Sequence, residues 1–193
     1  MPLRLLLALL LIFSSGQSLA KGDARTRVDE ELRGYLKQAI DNTHSFSDRF
    51  AAEVWLVDMS ARLARYIKDK AFRVRFLQTL HHEANKHDLP PEMILALIQI
   101  ESAFKPYALS RVGAQGYMQI MPFWRNEIGR SSDNLMDYQT NLKYGCAILA
   151  HYLKKEKGNW VRALARYNGS LGRTVYPDKV MKAWQQRWFV QSI

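Results

Sequence analysis

Hydrophobic positions recur along the chain at helical spacing, and no stretch of useful length alternates as a strand would. Leu32, Tyr35, Leu36, Ala39 and Ile40 form the i, i+3, i+4, i+7, i+8 stripe of an amphipathic helix in the charged segment that begins at Asp23. Asn42 to Ser47 is polar and turn-like. Ser47 or Asp48 can cap a second helix that reaches about Lys68, with Phe50, Val54, Val57, Ala61 and Ala64 as its inner face. A third, from about Ala71 to His87, turns Phe72, Phe76, Leu77 and Leu80 inward. Leu89-Pro90-Pro91-Glu92 stops it and starts a fourth, because Pro91 suits the first helical position and Glu92 complements the dipole. A short helix through Phe123 and Trp124 reaches Gly129, and Ser131 to Asn134 makes a turn. From Tyr138 to Lys157 the apolar face is Leu142, Gly145, Cys146, Leu149 and Leu153, with Gly158 as the stop. Trp160 to Tyr167 is a short helix ended by Asn168-Gly169. Pro177 and Asp178 open the last helix, with Val180, Met181, Trp184 and Trp188 inward. The pattern predicts an all-α fold without internal repeats.

One stretch breaks the pattern in an informative way. Met93 to Glu101 reads MILALIQIE, with a single acid in an apolar run. Ile94, Leu97, Ile98 and Glu101 occupy i, i+3, i+4 and i+7, so the carboxylate shares a face with three aliphatic residues. Burial there disfavours the charged form and should raise the Glu101 pKa. The residue is either a core acid satisfied by a hydrogen bond or a functional one. Lys105-Pro106 ends the helix soon after, so Glu101 stands in its last turn, where a side chain can face a cleft. The loop that follows carries Gly113 and Gly116, which permit positive φ and close backbone approach.

The first twenty residues stand apart. Arg4, the apolar run Leu5 to Phe13 and Ser18-Leu19-Ala20 before Lys21 read as a cleavable secretory signal peptide. The alternative, an uncleaved anchor helix, is opposed by the shortness of the run. Residues 21–74 then form an N-terminal helical extension and residues 75–193 the functional domain. Export places the protein in the periplasm or outside the cell. The single cysteine, Cys146, excludes an intramolecular disulfide and reads as a small buried apolar residue. Net charge is +10, spread along the chain rather than massed in one block. With no nucleic-acid motif, this favours a polyanionic polymer or surface as partner, or simple solubility. His81, His82, Glu83 and His87 suggest a metal cluster. However, His82 and His87 are five apart, about 140° round a helix, so they share no face and no metal is expected.

Three blocks now matter together: Ile100-Glu101-Ser102, then Ser110-Arg111-Val112-Gly113-Ala114-Gln115-Gly116-Tyr117-Met118-Gln119-Ile120-Met121-Pro122, then Ala163-Leu164-Ala165-Arg166-Tyr167-Asn168-Gly169. In this order they resemble the Slt-type lytic transglycosylase domain, of the goose-type-lysozyme-like family that cleaves peptidoglycan. The resemblance covers about Arg75 to Trp188 and implies a lysozyme-like helical domain. Glu101 matches the family's single catalytic acid. Ser110 matches a serine placed to contact the sugar N-acetyl region, and Gly116 the motif glycine. Gln119 and Met121 match residues lining the glycan groove. Tyr167 matches the tyrosine that lies against the acid and supports it, with Asn168 as its motif neighbour. Tyr117, Phe123-Trp124, Arg166 and Ser170-Leu171 depart from the usual pattern, which bears on groove shape more than on chemistry.

The resemblance also implies how one carboxyl suffices where glycosidases ordinarily use two. The C6 hydroxyl of N-acetylmuramic acid attacks its own anomeric carbon, giving a 1,6-anhydro end without water or cofactor. A nearby rival is a lysozyme-like muramidase, which would need a second carboxylate, for which Glu127, Asp133 and Asp137 could serve, or an ordered water. Another is a non-catalytic wall-binding module, docked to an envelope machine through the N-terminal extension. Peptidoglycan strands are the expected partner in each case. Oligomeric state is not legible.

Overall fold

The computed structural model describes residues 49–190 and the isolated position Gly34. The leader, the first amphipathic helix and the caps Ser47 and Asp48 lie outside the described residues. Within them the chain forms seven α-helices and no strand. They are α1 (Arg49–Leu63), α2 (Lys70–Asn85), α3 (Pro91–Glu101), α4 (Trp124–Ile128), α5 (Tyr138–Lys155), α6 (Trp160–Tyr167) and α7 (Val175–Ala183). A π-helical turn, Trp184–Trp188, continues α7. Two isolated bridges, Leu109 with Gln115 and Gln115 with Ile120, tie the long loop between α3 and α4. No described helix is long and apolar enough to cross a membrane.

Helix α3 is the central rod. Every residue from Met93 to Ile98 is buried, and α2, α7 and the π-helical turn pack around it. Burying a large aliphatic side chain stabilises the fold by about 1.5–3 kcal/mol, so this sequence has no exposed alternative of comparable stability. Pro91 sits in the first turn, as its fixed φ favours. Asp69, Asp137 and Asn159 cap α2, α5 and α6 by accepting backbone N–H bonds.

A buried aromatic cluster joins Tyr66, just after α1, to Trp188 in the π-helical turn. Phe76 lies 4.8 Å from Tyr117, and Phe104 packs on Tyr66, Phe76 and Trp188. Trp188 is fully buried and donates its indole N–H to Gln99 Oε1 at 2.9 Å. Arg73 is buried but satisfied, donating to Ser60 Oγ and to the Ile67 carbonyl.

The expected inner face of the second helix is wrong. Ala52, Leu56, Met59 and Leu63 are the buried side of α1, whereas Phe50 and Val54 are 73% and 53% exposed. The helix carries two apolar stripes of identical spacing, and the one with the bulkier leucine and methionine groups wins the core. The boundary drawn between residues 74 and 75 falls inside α2, which packs on both α3 and α5.

Candidate active site

Glu101 closes α3. Just after it the backbone leaves the helix through left-handed conformations at Ala103 and Phe104, φ 49° and 61°. The 3% exposed Phe104 ring anchors this reversal in the aromatic cluster. The helix therefore stops with its last side chain at the edge of the core. There Ile100 and Glu101 form one wall of a cleft of about 500 Å³. The turn between α6 and α7 supplies Asn168, Ser170 and Arg173, and α7 supplies Val175, Tyr176 and Lys179.

Among the described residues the acid is held by one hydrogen bond. Tyr176 Oη donates to Glu101 Oε1 at 2.5 Å. Burial pushes the Glu101 carboxyl up from 4.5 to about 7, against the opposing effect of the Tyr176 hydrogen bond. At neutral pH it therefore exists in both protonation states, as a group that both gives and takes protons requires. Burial and the neighbouring Glu101 charge raise the Tyr176 phenol well above its ordinary value, so it remains a donor.

Tyr176 was not anticipated. It precedes Pro177, which reads as a helix opener, yet α7 begins at Val175 and the buried Pro177 occupies its first turn. A first-turn N–H has no intrahelical partner, so proline is tolerated there. The only sequence signal was an aromatic residue close after the Tyr-Asn motif.

The expected site residues divide. Glu101 and Asn168 share the cleft. Tyr167 lies near enough for the Glu101 charge to raise its phenol, with burial the larger cause. Its hydroxyl, however, donates to the Met118 carbonyl at 2.9 Å and so ties α6 to the motif loop. The hydrogen-bonding support of the acid thus comes from Tyr176. Ser110 Oγ accepts from Ala114 N–H at 2.9 Å and closes its own loop. Gln119, at φ 52°, donates its side-chain amide to the Ala108 and Gly116 carbonyls. Met121 is half-buried. Ser110, Gly116, Gln119 and Met121 are not among the residues that line the cleft.

Gly116 has a reason to be glycine that involves no ligand. Its φ is 73°, and a Cβ would lie 2.5 Å from Asn141 Nδ2 and 2.7 Å from the Leu135 carbonyl. Asn141 is fully buried and brackets the loop against α5. It accepts from Met118 N–H at 2.7 Å and donates to the Gln115 and Leu135 carbonyls. An asparagine on the inward face of an amphipathic helix was the available signal for this role.

None of the rival carboxylates reaches the cleft. Asp133 accepts from Tyr144 Oη and Arg130 N–H. Asp137 caps α5 by accepting from Thr140 N–H at 2.8 Å. Glu127 faces a separate cavity beside Trp124 and His151. His81 is buried edge-on to Trp55, and burial lowers its pKa to about 4. Cys146 is buried and its thiol is pushed up by desolvation, as for a packing residue. Arg166, a departure from the expected motif, pairs with Glu156 at the end of α5, as does Arg162.

The transglycosylase SLT domain model matches residues 78–185. The chain is 30% identical over 116 residues to a transglycosylase of the enterobacterial phage PRD1, covering 56% of this chain and 43% of that one. It is 28% identical over 123 residues to the membrane-bound lytic murein transglycosylase D of Escherichia coli K12, covering 61% of this chain and 27% of that one. The chain thus spans less than half the length of these relatives. Among solved structures, the lytic transglycosylase Slt of Pseudomonas aeruginosa aligns with TM-score 0.47 at 23% identity, covering 81% of this chain and 35% of that one.

Proposed function

The chain belongs to the transglycosylase SLT domain family, and from that premise we propose that it cleaves peptidoglycan glycan strands between N-acetylmuramic acid and N-acetylglucosamine without water. The product is a 1,6-anhydro-muramyl end. One observation carries the reading. A single half-buried carboxyl, poised near neutral and held by Tyr176, faces a cleft whose lining offers no second acid among the described residues.

Protonated Glu101 gives its proton to the glycosidic oxygen as the bond from that oxygen to the anomeric carbon breaks. The 2-acetamido carbonyl oxygen of the muramyl sugar bonds to the anomeric carbon and takes up the developing positive charge. The C6 hydroxyl of the same sugar then displaces it, and the Glu101 carboxylate removes the hydroxyl proton. The acid returns to its starting form and no atom of water is incorporated. A two-carboxylate hydrolase needs a second acid across the bond. Asp133 and Asp137 are instead engaged by Tyr144 and by the α5 cap, and Glu127 faces elsewhere. The apolar run Leu5 to Phe13 and the substrate together argue for action in the bacterial envelope, reached through a cleavable signal.

The test is Glu101→Gln, which keeps shape and removes the proton. It should bind isolated murein as the wild type does and clear none of it. Retained clearing would place the acid elsewhere.

A further inference from the structure

The cleft contains more positive charge than its chemistry uses. Arg173, on the turn between α6 and α7, and Lys179, on α7, line it together with Glu101. Both are exposed. Lys179 stands three residues after Tyr176 and so shares its helix face, one turn from the group that holds the acid. Neither cation takes part in an ion pair among the described residues. Nor do they hold Glu101, whose hydrogen-bond partner is the Tyr176 hydroxyl. Two cations against one acid leave the cleft net positive whichever form Glu101 takes.

The pyranose rings and their N-acetyl groups carry no charge, so the ring atoms of the glycan give these cations nothing to pair with. The anions on a murein strand are carboxylates carried by the 3-O-lactyl arm of the muramyl sugar, on its attached peptide or on the arm itself when the peptide is gone. We propose that Arg173 and Lys179 form a carboxylate-recognition site beside Glu101 that selects strands by the acid borne on that arm. This deepens the proposed function and rests on it. The lactyl arm projects from the sugar ring that reacts, so cations on the wall of the same cleft are placed to read it. Exposed pairs of this kind are individually weak and salt-screened, so they tune selectivity rather than create binding.

The experiment compares kcat/KM on three soluble strands: peptide-bearing, peptide-stripped with free lactyl carboxylates, and stripped with those carboxylates converted to methylamides. At low salt the wild type should favour at least one carboxylate-bearing strand over the methylamide by about tenfold, mainly through KM. Which of the two is favoured identifies the source of the carboxylate. The double variant Arg173→Gln with Lys179→Gln should bring that ratio close to one, Arg173→Lys alone should keep most of it, and added salt should erode it in the wild type. A wild-type ratio near one, or a ratio that survives in the double variant, overturns the inference while the proposed function stands. Failure of the wild type to cleave any strand overturns both.

Discussion

Tyr176 and Glu101 are 75 residues apart in the chain, yet the phenol hydroxyl donates to the carboxylate at 2.5 Å across the cleft. The contact joins the end of the central helix to the first turn of α7, so packing of those two helices sets the geometry of the acid. It also opposes the effect of burial on the carboxyl, since it favours the charged form.

Removing that hydroxyl therefore has a directional signature. In the proposed mechanism the acid starts protonated, so kcat/KM should fall as pH rises through about 7. Tyr176→Phe removes a bond that lowers the pKa, so the alkaline limb should move to higher pH. Loss of a charge-assisted bond should also cost about ten- to hundredfold in kcat/KM. Tyr167→Phe is the contrast: it frees the Met118 carbonyl and should cost about 1 kcal/mol of stability or somewhat more, with the limb in place. A pH profile of each variant separates the two roles.

Glu101 itself should weaken the fold above neutrality. Its folded pKa is raised from 4.5 to about 7, so the native state binds more protons than the unfolded state between those values. Stability is then fully retained below about 4.5 and lost as pH rises toward 7 and beyond. The loss approaches about 3 kcal/mol. Glu101→Gln carries no such penalty. Denaturant melts should show it more stable than the wild type at pH 8, with the gap closing toward pH 4.5.

Gly145 lies inside α5, where glycine to alanine normally gains about 1 kcal/mol at an exposed site. Here a Cβ would lie 2.2 Å from Met118 Sδ, on the motif loop. Gly145→Ala should instead destabilise by about 1–3 kcal/mol, because Met118 is fully buried and has nowhere to move. Thermal melts of the purified variant check the sign.

Asn141 satisfies three backbone groups of the loop and its approach, at Met118, Gln115 and Leu135. Asn141→Leu has similar volume but leaves the buried Met118 N–H and Leu135 carbonyl unpaired, while the Gln115 carbonyl keeps its bond from Ile120 N–H. A loss of at least about 2 kcal/mol is expected, at about 1 kcal/mol or more for each of the two orphaned groups. Chemical denaturation should show it as a lowered midpoint with an unchanged slope.

Much of this was legible from residue spacing, and the failures have physical causes. Helix α6 has the bounds that Trp160 and the Asn168-Gly169 stop imply, and the raised Glu101 pKa followed from one acid in an apolar run. The buried face of α1 was not decidable by period. Phe50, Val54, Val57 and Ala61 repeat at the same intervals as Ala52, Leu56, Met59 and Leu63. Packing against α2 and the π-helical turn chooses between them. Tyr176 was hidden by a proline whose position in a first turn admits more than one register. Motif matching grouped Gly116, Ser110 and Gln119 with the substrate. The structure shows each engaged by the loop's own packing or hydrogen bonds.

The central claim is that the polymer supplies its own nucleophile to a site with one acid. Mass spectrometry of the fragments released from intact sacculi tests it most directly. The account predicts muropeptides ending in 1,6-anhydro-muramyl sugars, each one water lighter than the hydrolytic product, and none from Glu101→Gln. Fragments with ordinary reducing ends would contradict it, since water and not the C6 hydroxyl would then be the nucleophile.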